Sequence, residues 1–320
     1  FQDRYYIAIA GKDEVWKYEF TASNGQPDSL PKWQVFQSDS SLKEPEYLYE
    51  YDNKLWCCYG YSNTIASVED SSTREVFNFA DDKIRPRRMI EWNGNLFVSF
   101  FGSDHIGKYN STDGWSFTTV GRKPYDFVIF NNQLLVTCGG SDEIWVTSDG
   151  NSWSVWVDSK NIGENSEARG LIVSGGYLFV ACYRSNEIRR YDGSNWSIDS
   201  FEGEGPINFE TGVSRLFVAC YDSSDVYELS SPSNTTWNQN SSLGEGVYDL
   251  VFLSSPTDIT LPETGEPFSG YVYALCAEDT SGQVFYSKGT TFDTFEGRDV
   301  IEYFPELDTY FSRHPKSDNE

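Results

Sequence analysis

Histidine and methionine are nearly missing from this chain, with 2 His and 1 Met in 320 residues. Only His105 and His314 are available, and no CxxC or His-containing ligand spacing occurs. A zinc site therefore has no donor set, and no metal or other cofactor is expected. Ser–His–Asp chemistry would have to use one of those two His, and neither lies in a nucleophile-elbow context. Basic side chains are scarce as well, 24 against 49 acidic ones, for a net charge of −25. Such a surface repels phosphate backbone and anionic lipid, so no nucleic-acid partner is expected. It suits a soluble, self-repelling particle, a high-salt medium or a cation-rich one. No apolar run approaches the roughly 18 residues of a membrane helix, so no membrane insertion is expected. A start at Phe1 rather than Met is compatible with a removed leader.

What is abundant is aromatic: 10 Trp, 21 Tyr and 22 Phe. Aromatic and β-branched residues favour strands, and Gly, Asn, Asp and Ser clusters interrupt the chain about every ten residues, the pattern of an all-β protein with tight turns. The segment LFVACY occurs at Leu178 and again at Leu216, an offset of 38 residues. A fixed period near 40 marks a repeat architecture, whose units cannot bury their apolar faces alone.

Seven segments share one order: apolar strand, polar turn, second strand, short Ser/Asp/Asn loop, third strand opening on Ile or Val, turn, aromatic-bearing fourth strand. The third-strand anchors are Val15, Ile65, Ile106, Ile144, Ile188, Val226 and Val284, spaced 50, 41, 38, 44, 38 and 58 residues apart. The prediction is a single-domain, seven-bladed β-propeller over 1–320, with four-stranded antiparallel blades. The Pro-, Thr- and Glu-rich stretch 254–269 reads as an insertion between the first two strands of blade seven. Blade one lacks a first strand at the N-terminus. GRDVIEYF from Gly297 matches the blade entrances GRKPYDFVIF from Gly121 and GEGVYDLVFL from Gly244. Residues 300–304 are therefore expected to join 1–36 as the innermost strand of blade one, closing the ring and removing a sheet edge. Cys57, Cys58, Cys138, Cys182, Cys220 and Cys276 fall inside apolar strands and read as small buried hydrophobes rather than a disulfide framework.

TDGWSF at Thr112, SDGNSW at Ser148 and YDGSNW at Tyr191 repeat a DG-then-Trp motif. Here the chain resembles the Asp-box-like repeats of sialidase-type β-propellers and of bacterial and phage surface proteins. The resemblance implies that Asp113, Asp149 and Asp192 are structural turn residues, with Asp149 and Asp192 accepting backbone N–H bonds between the last two strands. It also implies positive φ at Gly150 and Gly193, and Trp153 and Trp196 packed between blades.

In a four-stranded blade the links into the first strands and the second-to-third-strand loops share one face. The links carry Arg85, Arg87, Arg88, Arg122, Lys123, Arg169 and Arg298, a cluster that stands out in so acidic a chain. Arg87, Arg122, Arg169 and Arg298 are the candidate ligand-binding residues at the mouth of the central channel, since guanidinium forks suit carboxylates. The bland alternative pairs them with neighbouring acids across blade junctions. The second-to-third loops, such as Ser141-Asp142-Glu143 and Ser185-Asn186-Glu187, read first as hairpin turn chemistry and second as a cation- or partner-binding rim. No catalytic residue is nominated, because no local motif picks a Tyr–Glu pair from 21 Tyr. The functional expectation is a non-catalytic binding or structural module, extracellular or on a cell or virion surface, contacting proteins of a surface assembly or glycans. The alternative is a sialidase-like glycan hydrolase or lyase with an Arg-lined site at the channel mouth; an intracellular WD-repeat scaffold is disfavoured by the lack of a GH…WD signature.

Overall fold

The computed structural model describes residues 6–9, 13–19, 32–68, 74–80, 82–212, 215–243, 246–247, 250–253, 259–260, 267–268, 274–278, 284–287, 292–294 and 310–312. Five consecutive antiparallel four-stranded sheets occupy its middle. We number them II to VI in chain order. Sheet II holds Pro45–Tyr51, Lys54–Tyr59, Thr64–Ser67 and Val76–Asn78. Sheet III holds Pro86–Trp92, Asn95–Phe100, His105–Asn110 and Gly114–Thr119. Sheet IV holds Pro124–Phe130, Gln133–Cys138, Glu143–Thr147 and Ser154–Val157. Sheet V holds Ala168–Ser174, Tyr177–Cys182, Glu187–Tyr191 and Trp196–Ile198. Sheet VI holds Pro206–Gly212, Arg215–Cys220, Asp225–Leu229 and Asn238–Ser242. In each, the strands lie side by side in chain order, and the first strand packs against the first strand of the next sheet.

Two further four-stranded groups flank them. Sheet VII contains Leu250–Leu253, Ala274–Glu278, Val284–Ser287 and Phe292–Thr294. Between its first two strands, within 254–269, Ile259–Thr260 pairs antiparallel with Pro267–Phe268. Sheet I contains Tyr6–Ile9, Glu14–Glu19 and Lys32–Ser38, with Tyr310–Ser312 beside Tyr6–Ile9. The strand expected in that place, 300–304, lies outside the described residues. The pairing observed is parallel, Tyr6 opposite Tyr310 and Ala8 opposite Ser312, unlike the antiparallel ladders of the other sheets.

Alternating strand faces put the apolar residues of neighbouring sheets against each other. Ile65, Ile106, Ile144, Ile188 and Val226 are all buried, as their place at the start of each third strand requires. Fully burying one such side chain contributes about 1.5–3 kcal/mol. Cys57, Cys58, Cys138, Cys182 and Cys220 are buried free thiols in the second strands. Burial pushes the Cys182 thiol up to about 12. Among the described residues no helix is long and apolar enough to cross a membrane.

One local irregularity recurs and sets the site. The first strands of sheets II to VI each carry one extra residue near their start, with register shifts at Pro45/Tyr47, Pro86/Met89, Pro124/Phe127, Ala168/Leu171 and Pro206/Asn208. The residue before each of these strands has positive φ: Glu44 (57°), Arg85 (57°), Lys123 (53°), Glu167 (45°) and Gly205 (63°). A left-handed residue, then Pro or Ala, then a bulge is thus the entrance to five sheets. Bulges re-aim side chains and bend the strand.

Candidate functional site

The entrance carbonyls all accept from the far end of their own second strand: Gly60 N–H to Glu44, Phe101 to Arg85, Gly139 to Lys123, Tyr183 to Glu167 and Tyr221 to Gly205, at 2.8–3.2 Å. The entrance N–H groups point the other way, into the preceding sheet. Asp13 Oδ1 accepts from Glu44 N–H (2.9 Å), Asn63 Oδ1 from Arg85 (3.0 Å), Asp142 Oδ1 from Glu167 (2.8 Å) and Asn186 Oδ1 from Gly205 (2.8 Å). These acceptors are the middle residues of the second-to-third-strand loops, themselves at positive φ, a conformation that Asn and Asp tolerate best among residues with a Cβ. The links and those loops therefore do share one face, and the polar rim joins each sheet to the next.

Behind the rim, the residue after each entrance Pro or Ala is turned toward its neighbours. These residues are Glu46, Arg87, Tyr125, Arg169 and Ile207, all 6% exposed or less. Arg87 Nη2 donates to the Tyr125 hydroxyl at 2.8 Å, and its guanidinium lies over the rings of Tyr125 (4.4 Å) and Phe101 (5.0 Å). Glu46 Oε2 stands 3.9 Å from Arg87 Nη1, and Glu46 Oε1 stands 3.8 Å from Arg85 Nη2. Arg169 Nη2 donates to Glu167 Oε1 at 2.7 Å, and the guanidinium stacks 3.7 Å from the Tyr183 ring and 5.7 Å from Tyr125. Burial pulls the Arg169 guanidinium down, but Tyr125 and Glu167 more than offset it, so its pKa is raised. Arg184 Nε takes the other Glu167 oxygen at 2.7 Å. Phe101, Tyr125, Ile207 and Val247 belong to one buried apolar cluster running from sheet III toward sheet VII.

Backbone carbonyls lock the same row. Ser99 donates its hydroxyl to the Tyr125 carbonyl (2.7 Å) and accepts from Arg88 N–H (3.2 Å). Thr137 repeats this one sheet on, donating to the Arg169 carbonyl (2.5 Å) and accepting from Asp126 N–H (3.1 Å). Each hydroxyl satisfies its own sheet's bulge and the next sheet's entrance. Where sheet V has Ala181 instead, Gly170 lets the backbones approach: a Cβ there would meet Asn208 Cα at 3.1 Å.

Of the four arginines singled out in the sequence, Arg87 and Arg169 come together around Tyr125. Arg122 lies apart, exposed at the rim, and Arg298 is outside the described residues. Asp149 and Asp192 occupy the turns expected: Asp149 Oδ1 accepts from Asn151 and Ser152 N–H at 2.8 and 2.7 Å, Asp192 Oδ1 from Ser194 and Asn195 at 2.8 and 2.7 Å. Those backbone donors hold the Asp149 carboxyl down at about 2. Gly150 and Gly193 have φ of 72° and 95°. Trp153 meets Phe97 of sheet III edge-on at 6.2 Å, and Trp196 meets Trp156 of sheet IV at 6.0 Å. In sheet III the roles are exchanged. Asn110 Oδ1 accepts from Thr112 and Asp113 N–H (3.0 and 2.7 Å), while Asp113 Oδ2 accepts from the Asn110 amide (3.1 Å). Sequence reasoning missed Glu46, Tyr125, Glu167 and Tyr183; the recurring Pro-x pair at the strand entrances marks Glu46 and Tyr125, and no such signal marks Glu167 or Tyr183.

No family model matches the chain, and no curated protein matches it. Among solved structures, a streptogramin B lyase superposes with a TM-score of 0.61 at 11% identity, covering 91% of this chain and 92% of that one. A catalytically inactive virginiamycin B lyase from Staphylococcus aureus, with quinupristin, gives 0.60 at 12% identity, covering 91% and 94%. A putative 6-phosphogluconolactonase from Bacteroides fragilis gives 0.58 at 11%, covering 91% and 92%. The fold is a β-propeller. At these identities the likeness carries the propeller's architecture and not its neighbours' chemistry. Among the described residues no group of three or more His, Cys, Asp or Glu is placed to hold a metal ion.

Proposed function

We propose that this propeller is a non-catalytic binding or structural module, displayed on the exterior of a cell, appendage or virion, where it contacts assembly proteins or glycans. We read its sheets as seven blades in a ring closed by the C-terminal strand. The observation that carries the functional reading is the burial of Arg87 and Arg169 against Glu46, Tyr125, Glu167 and Tyr183. A guanidinium stacked on aromatic rings and bound to its own chain's carboxylate holds blades together, and a substrate carboxylate would have to displace those partners. The net charge of −25 favours a soluble, mutually repelling exterior surface. The competing reading, a sialidase-like hydrolase or lyase, needs three arginines, with Arg122, Arg169 and Arg298 the candidates, to meet one ligand.

The deciding experiment pairs antibody labelling of intact particles or cells with turnover assays on a fluorogenic sialoside and a polyuronate. Surface labelling without turnover supports the module. Turnover that disappears in Arg122→Ala, with the fold intact, overturns it.

A further inference from the structure

Blades V and VI share a surface that departs from the charge of the rest of the chain. Residues 229–243 include no Asp, Glu, Lys or Arg, where a chain 23% charged would place roughly three or four. Two neighbouring stretches of blade V, 174–177 and 193–198, are uncharged as well. The pieces are contiguous. The Gly175 turn lies against Pro232, and Arg190 donates to the Asn234 carbonyl. Ser200 N–H donates to the Thr235 carbonyl (2.7 Å), and Trp237 N–H donates back to the Ser200 carbonyl (2.9 Å). Arg190 and Asp199 lie buried beneath as an ion pair (2.7 Å) and add no surface charge.

Two N-x-Ser/Thr triplets fall on this surface, Asn195-Trp196-Ser197 and Asn234-Thr235-Thr236. We infer that Asn195 and Asn234 are N-glycosylation sites whose glycans cover the uncharged surface of blades V and VI. The inference rests on the reading of the chain as an exterior module and names a modification of that exterior.

Attachment replaces one of the two hydrogens on Asn Nδ2, so the amide needs one to give and room for the sugar. Both residues are exposed. Asn234 Nδ2 donates once, to Ser230 Oγ at 2.9 Å. The Asn195 side chain bonds the Asp192 carboxylate of its own turn. Each therefore retains a hydrogen to replace. The chain's other two triplets fail one condition or the other. Asn110 spends both hydrogens, on Asn95 Oδ1 (3.0 Å) and Asp113 Oδ2 (3.1 Å). Asn240 is half-buried within the strand Asn238–Ser242 and donates to Glu228 Oε2 at 2.9 Å.

Elsewhere the net charge of −25 keeps copies of the chain apart. Here Ile198, 53% exposed, stands among amides and hydroxyls with no charge to repel a second molecule. A bulky, hydrated glycan supplies the exclusion that charge supplies on the other surfaces. The donor is a lipid-linked oligosaccharide diphosphate, delivered by a membrane transferase. Nδ2 bonds to C1 of the first sugar, and the C1–O bond to the diphosphate breaks. The lipid diphosphate leaves with that electron pair, and the displaced Nδ2 proton passes to solvent.

The test is mass spectrometry of the full chain recovered from the cells or particles that display it, with electron-transfer fragmentation to place added sugar mass on individual Asn residues. Asn195 and Asn234 are expected to carry it, and Asn110 and Asn240 to be bare. Ser197→Ala and Thr236→Ala change exposed hydroxyls. Each should lose one glycan while the chain melts as the parent does, which separates a lost acceptor from a lost fold. Bare Asn195 and Asn234, sugar at Asn110 or Asn240 in their place, or a glycan that survives the loss of its triplet hydroxyl overturns the inference. If surface labelling persists on a chain without sugar, this inference alone falls. Sugar on a chain that antibodies reach only after cells are opened overturns the exterior reading and leaves the sites standing.

Discussion

Asp142 offers a direct test of how one blade is fastened to the next. It sits in the second-to-third-strand loop of blade IV at φ 54°. Its carboxylate accepts from the N–H groups of Asn165 and Glu167 (both 2.8 Å) and from the Ser166 hydroxyl (3.2 Å), all in the link into blade V. Three substitutions separate its two roles. Asp142→Ala removes the acceptors and places a Cβ-bearing residue with no local compensation at positive φ. Losing the bonds costs about 2 kcal/mol, near the lower bound for bonds to a charged group because the site is half-exposed, and the left-handed backbone adds about 1 kcal/mol. Asp142→Gly removes only the bonds and should cost about 2 kcal/mol. Asp142→Asn keeps an acceptor oxygen and tolerates the backbone, as Asn63 and Asn186 do at the matching positions. Its amide NH2 must face one of the two N–H donors, Asn165 or Glu167, that the two Asp142 oxygens accept from, so it should cost about 1 kcal/mol. Urea unfolding followed by tryptophan fluorescence and by far-UV dichroism measures the order Asn, Gly, Ala. A Gly variant as stable as the parent, or an Asn variant as unstable as the Ala variant, refutes the account of the rim as an inter-blade fastener.

Further outcomes are expected elsewhere. Arg169→Met should lower stability by about 2–3 kcal/mol in a thermal melt, because Glu167 stays buried and keeps only the exposed Arg184 as its ion-pair partner. Ser99→Ala leaves the Tyr125 carbonyl and Arg88 N–H to find new partners in a dry interior. It should cost about 2–4 kcal/mol by chemical denaturation, and an unchanged midpoint would contradict the bridging role. The Asp149 carboxyl is held at about 2, below the ordinary 3.8, so its turn is fully stabilised above 3.8 and weakens as pH falls through about 2. The melting difference between the parent and Asp149→Asn should accordingly shrink between pH 5 and pH 2. Cys57, Cys58, Cys138, Cys182 and Cys220 should resist iodoacetamide in the folded chain and react once it is unfolded, read by mass spectrometry.

Much of the architecture was legible in the chain. The repeat of LFVACY, the Ile and Val anchors and the spacing of turn residues follow local rules, since strand alternation and positive-φ turns depend on a few adjacent residues. Asp149 and Asp192 were readable for the same reason: the side chain bonds to backbone two and three residues on. Asp113 stays a turn residue, but in its turn Asn110, three residues earlier, accepts the backbone N–H groups and Asp113 accepts from the Asn110 amide. The arginine cluster was visible as composition, but its partners were not. Glu46, Arg87 and Tyr125 are 41 and 38 residues apart in the chain and touch only because the first strands of consecutive sheets pack side by side.

The sequence by itself determined the repeating strand pattern, the turn chemistry and the acidic character, each a property of neighbours along the chain. Tertiary structure decided where the entrance side chains point, because a one-residue bulge after Pro45, Pro86, Pro124, Ala168 and Pro206 rotates the following residue and leaves little trace in periodicity. It also decided which segment lies beside Tyr6–Ile9: 300–304 and Tyr310–Ser312 are both short and aromatic, so strand propensity does not choose between them, and the observed pairing of Tyr6 with Tyr310 is a contact between chain ends that only the folded molecule makes.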